Sequence, residues 1–166
     1  MKRRISIELY EECDNVNYYT FRFLDENDNE FDKFFGKYDG DAEFERDFNI
    51  ILGWLDKIGE DGADVAHFRP EGGSLKALPV NGGKLRLYCF RVSDCIVVLG
   101  NGGNKKTRTY QEDPLLNKFV SDLNEVGRSL WNRFKGKGTA SIYNCKLLGN
   151  LEFEIETEKL KDDEEE

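Results

Sequence analysis

Ile5, Ile7 and Leu9 alternate with polar neighbours, and further on Tyr19, Phe21 and Phe23 do the same. A period of two puts every second side chain on one face of an extended chain. Residues 5–11 and 18–24 are therefore expected to be two strands, turning at Asp14-Asn15. The period then changes. Phe31, Phe34, Phe35 and Tyr38 fall three and four apart, which predicts a short helix over residues 30–38, broken at Asp39-Gly40. Phe44, Phe48, Ile51, Leu55 and Ile58 continue the helical spacing in a second segment, with Asp41 as its N-cap and Gly59 as its C-cap. Aromatics spaced in this way form core stripes, not ligand boxes.

Residues 75–80, 84–92 and 95–99 read as three more strands, joined at Asn81-Gly82-Gly83 and Ser93-Asp94. Asp113 caps and Pro114 opens a helix running to about residue 134. Its apolar stripe includes Leu116, Phe119, Leu123, Leu130 and Phe134, and Gly136 and Gly138 stop it. Residues 140–147 and 151–157 are expected to pair as a last hairpin around Gly149-Asn150. The order is ββ, αα, βββ, α, ββ. It predicts one α+β domain over residues 1–157, with a core of about 30–134, added hairpins at 5–24 and 140–157, and an acidic disordered tail at 158–166.

The 166 residues suit a single core. The net charge of −9 argues against loose binding to nucleic acid. Its distribution alters that picture: residues 67–110 carry 8 basic and 2 acidic side chains, while residues 1–66 carry 8 basic and 18 acidic. A local anionic partner for the middle segment is the expectation. Cys13, Cys89, Cys95 and Cys145 form no Cys-x-x-Cys pair, and His67 is the only histidine, so a zinc site is not expected. The cysteines read as reduced, small hydrophobes. No apolar run approaches the roughly 20 residues of a membrane span, and the basic start lacks the apolar stretch of a signal peptide. The expected location is cytoplasmic. Neither a phosphate loop nor a Gly-x-Ser-x-Gly elbow occurs.

Residues 30–118 resemble the RelE/HigB-type toxins of bacterial toxin–antitoxin pairs. The resemblance rests on Glu30-Phe31-Asp32-Lys33-Phe34-Phe35 at the head of the helical pair and on Ala77-Leu78-Pro79. It continues in Lys84-Leu85-Arg86-Leu87-Tyr88-Cys89-Phe90, Ile96-Val97-Val98-Leu99-Gly100 and Lys105-Lys106-Thr107. It implies a twisted antiparallel sheet packed against an N-terminal helical pair and a later helix. It also implies mRNA cleavage, usually on the ribosome, with a cognate antitoxin as partner and with no metal or cofactor. Asn104 stands where the family usually has an aromatic, and the chain is acidic where family toxins are basic.

Cleavage by 2′-hydroxyl attack needs a proton acceptor, positive charge on the phosphate and a donor for the leaving oxygen. Arg86 and Lys106 fall at the family's basic positions, and His67 is the residue whose ordinary pKa suits acid–base work. These three form the expected catalytic set. Lys84, Lys105, Arg108 and Arg69 are expected to hold phosphates, and Tyr88 to stack on a base. This arrangement assumes that Lys84, Arg86, Tyr88 and Phe90 share a free strand face. A plainer placement turns Tyr88 and Phe90 toward the helices. The alternative function is a non-catalytic binding module on the same fold, using the basic strip for RNA or an acidic protein partner.

Overall fold

The computed structural model describes residues 1–70, 75–78, 83–136 and 138–158; of residues 69, 70, 75 and 76 it describes the backbone alone. The first hairpin forms as its alternation predicts, from β1 (Lys2–Glu12) and β2 (Asn17–Phe23). Helix α1 (Glu30–Tyr38) starts where the Asn29 side chain accepts the Asp32 amide at 2.7 Å. Asp41 caps a 3₁₀ turn, accepting the Glu43 amide at 3.0 Å, before helix α2 (Glu45–Asp61) begins. The expected stop at Gly59 is not used; α2 runs to Gly62, whose φ of 104° a side chain would oppose. Gly59 instead serves a close approach, because a Cβ there would lie 2.9 Å from both Cβ and Sγ of Cys13.

Four strands follow: β3 (Arg69–Pro70), β4 (Leu75–Ala77), β5 (Leu85–Ser93) and β6 (Ile96–Asn104). The turn expected at 81–83 lies largely outside the described residues. Helix α3 (Pro114–Phe134) opens as predicted, with Asp113 accepting the amides of Leu115 and Leu116 at 3.0 and 3.2 Å. The chain closes with β7 (Ala140–Tyr143), β8 (Lys146–Gly149) and β9 (Glu152–Glu156).

Among the described residues, seven strands form one sheet in the order β3-β4-β5-β6-β2-β1-β9. Helices cover both faces. Against α1 and α2 lie Tyr18, Leu85, Leu87, Cys89, Val97 and Leu99. Against α3 lie Tyr19, Phe21, Tyr88, Phe90 and Val98.

Three expectations are corrected. The sheet is mixed, not wholly antiparallel: β2 runs parallel to β6, from Asn17 opposite Ile96 to Thr20 opposite Leu99. The N-terminal hairpin is therefore no appendage, since β2 is a central strand. Tyr18, Tyr19, Thr20 and Phe21 are all buried, as a strand covered on both faces requires. The C-terminal strands do not pair with each other as expected. Residues 140–149 make their own two-stranded hairpin, while β9 pairs with β1, Lys2 opposite Glu156 through Ser6 opposite Glu152. Residues 159–166, most of the expected tail, lie outside the described residues.

Candidate functional site

The basic segment acquires its geometry from the backbone at one end of the β5–β6 pair. Lys105 N–H donates to the Lys84 carbonyl at 2.7 Å, extending the ladder by one rung. Asp47, on α2, fixes the same end: its Oδ2 accepts the amides of Lys84 and Leu85 at 2.9 and 3.2 Å. Burial works against ionisation of Asp47. These two amides and Arg46 outweigh it and hold the carboxyl below the usual aspartate range. From the α1 side, Tyr38 Oη accepts the Asn104 amide at 3.2 Å. Lys84, Lys106 and Arg108 are exposed and Lys105 is half-buried. Of the eight residues expected at the site, these four stand on one stretch of surface.

The expected catalytic set does not converge. Arg86 is 7% exposed, and its Nη1 donates to the Gly83 and Leu85 carbonyls at 3.0 Å each. Tyr88 is 1% exposed and meets Tyr110 edge-on, so it has no face to offer a base. The reason for both is that β5 is interior to the sheet and helices cover its two sides. His67 lies in a 3₁₀ turn, its ring 5.9 Å from that of Trp54 on α2. By strand alternation Arg86 belongs with Tyr88 and Phe90 on the α3 side, so His67 and Arg86 serve opposite faces. The Arg69 backbone pairs with Ala77; its side chain lies outside the described residues.

The sequence reading missed a cleft of about 330 Å³ between α1, α3 and β6. Its polar residues include Glu30, Lys33, Asn101 and Lys118, and Leu115, Phe23 and Phe119 supply apolar wall. The Glu30 side chain is only 3% exposed, with Lys33 Nζ 2.6 Å from Oε2. Asn101, 7% exposed, points Nδ2 at Glu30 Oε1 from 3.5 Å, while its Oδ1 accepts the Gly102 amide at 2.8 Å. A gap of 3.5 Å is the outer limit of a hydrogen bond. Burial pushes the Glu30 carboxyl above its ordinary range, and Lys33 and Lys118 pull the other way. The Arg3 guanidinium lies 3.8 Å over the Phe23 ring, and Lys118 is held by Asp122 at 2.6 Å. One signal was available: Glu30 is in phase with Phe34 and Tyr38 at spacings of four, a polar residue on an apolar stripe.

A larger cavity, of about 830 Å³, opens at the C-terminal end of α2 and carries five carboxylates, including Asp14, Asp61 and Asp94. Its wall contains a disulfide between Cys95 and Cys145, with Cys13 nearby as a thiol. This corrects the expectation of four reduced cysteines. The folded chain brings the two turns holding these residues together, which their separation of 50 concealed. Among the described residues, no three His, Cys, Asp or Glu side chains are grouped to hold a metal ion, and no helix is long and apolar enough to cross a membrane. No family model, curated protein or solved structure matches the chain.

Proposed function

We propose that this chain is a non-catalytic binding module of RelE-like type that holds single-stranded RNA by its phosphates. The observation that carries this reading is the rung between Lys84 and Lys105. It sets two lysines side by side at a strand end, with Lys106 and Arg108 following on exposed chain. Elsewhere the molecule is acidic, so phosphate would be attracted to this strip and repelled around it. The nuclease reading needs Arg86, His67 and Lys106 at one phosphate, and burial and the sheet separate the first two.

The test is RNA binding by fluorescence anisotropy across a salt series, for the native chain and for a Lys105→Ala/Lys106→Ala variant. Each single-strand phosphate contact contributes roughly 0.7 to the slope of log K against log salt. The double variant should bind several sequences more weakly and flatten the slope by about 1.4. An unchanged slope removes the strip from the interface. Growth arrest with mRNA loss on induced expression would restore the toxin reading, an mRNA endonuclease silenced by a cognate antitoxin.

A further inference from the structure

The strip and the cleft lie along the same strand. Gly102 lines the cleft, and Lys105 lies about 10 Å further on at ordinary strand rise. Lys37, exposed on α1, also lines the cleft, and its Nζ lies 5.6 Å from the ring centroid of Tyr38, whose hydroxyl accepts the Asn104 amide. A strand of RNA on Lys84 and Lys105 would therefore pass the cleft mouth within the span of a nucleotide or two. Single-stranded RNA is recognised by bases splayed out of the stack and read on their edges.

We propose that the cleft is a pocket for a guanine base, with the Glu30 carboxylate as the reading group; this rests on the RNA-binding reading above. Guanine presents two adjacent N–H donors on its pairing edge, N1–H and the 2-amino group, and no other standard base does. An ionised carboxylate accepts only and has about four lone-pair sites. Lys33 Nζ lies against Oε2, which is closed off from solvent, so Oε1 is the oxygen left to accept the two donors from the cleft. The Asn101 amide, aimed at Oε1 from a distance too long to hold it firmly, has an N–H for a carbonyl oxygen beside those donors. Asn101 Oδ1 is already committed to Gly102, which fixes the carboxamide with its NH₂ toward Glu30. Phe119 and Leu115 give the base apolar wall. The volume lies at the small end of ordinary ligand pockets, roughly 300–1,000 Å³.

The experiment titrates the full chain with the four nucleoside 5′-monophosphates and with inosine 5′-monophosphate, by calorimetry. The guanosine nucleotide should bind at least about tenfold more tightly than the other three, the discrimination of one bidentate pair. Inosine keeps N1–H and loses the 2-amino group, so its affinity should fall by several-fold to tenfold with the protein unaltered. Glu30→Gln, shown folded by its thermal melt, should abolish the preference. Equal affinities for guanosine and adenosine nucleotides, or for guanosine and inosine nucleotides, overturn the guanine pocket. If oligonucleotides still bind through Lys105 and Lys106, the strip survives that result. A chain that binds the guanosine nucleotide but no RNA keeps the pocket and loses the strip.

Discussion

At the scale of single residues, the polar groups that organise this fold are those whose partners come from distant elements. Asp47 lies in the first turn of α2, where an acidic residue ordinarily faces solvent and the helix dipole. It accepts two amides from the beginning of β5, a contact 37 and 38 residues away that no local pattern encodes. Hydrogen bonds to a charged acceptor contribute about 1.5–3 kcal/mol each, and the amides lose their partner if the acceptor is removed. Asp47→Ala should therefore lower the unfolding free energy by about 2–4 kcal/mol, measured by urea denaturation at pH 7. The pH dependence follows from the depressed carboxyl. Its stabilisation is fully present above the aspartate pKa of the unfolded chain and is lost as pH falls through the lower, folded value. The gap between native and variant chains should be constant near neutrality and narrow only below about pH 4. A gap that closes between pH 5 and 7 would assign the effect to another group. Glu30 was harder to read for a related reason: its phase with Phe34 and Tyr38 is a signal, but acidic residues in a first helical turn ordinarily face solvent and the helix dipole, whereas this one faces Asn101 on β6.

At the scale of elements, periodicity located nearly every helix and strand and left their neighbours open. The α1 and α3 boundaries follow from Asn29 and Asp113 as caps, which are local. Strand pairing is not local, and the alternation of Tyr19, Phe21 and Phe23 concealed that Tyr18 and Thr20 are buried as well. The approach of α3 to the sheet shows the same dependence on tertiary context. Gly127 lies in the middle of α3, where helix propensity favours alanine by about 1 kcal/mol. An added Cβ would come within 2.3 Å of the Phe90 ring. Overpacking a dense core costs about 1–3 kcal/mol and should prevail over propensity, because β5 behind Phe90 cannot retreat from two covering helices. Gly127→Ala should lower the urea midpoint, and Phe90→Leu in the same chain should return part of the loss. A Gly127→Ala chain as stable as the native one would show that α3 has room to move.

At the scale of the whole molecule, the strands furthest apart in sequence close the fold. β9 completes the sheet beside β1, and Thr157 Oγ1 donates to the buried Asp122 at 2.5 Å. Among the described residues the β7–β8 hairpin pairs with no third strand; it packs against α3 and is fastened from its turn. Asn17 Nδ2 donates to the Cys145 carbonyl at 2.7 Å, the Leu147 amide donates to Tyr19 Oη at 3.0 Å, and Cys145 is bonded to Cys95. Closing a loop of 50 residues removes unfolded-state entropy worth about 4 kcal/mol in the chain-entropy account. That is a large share of the roughly 5–15 kcal/mol of an ordinary domain. Because the two hydrogen bonds and buried Leu147 remain, reduction should leave the fold intact and lower its stability. The melting temperature of the native chain should drop on addition of dithiothreitol, and Cys145→Ser should melt at the reduced value with or without reductant. A native chain indifferent to dithiothreitol, with two free thiols more than the bond allows, would mean that Cys95 and Cys145 are close but unbonded. The turn of the hairpin would then be held by Asn17, Tyr19 and Leu147 without the covalent link.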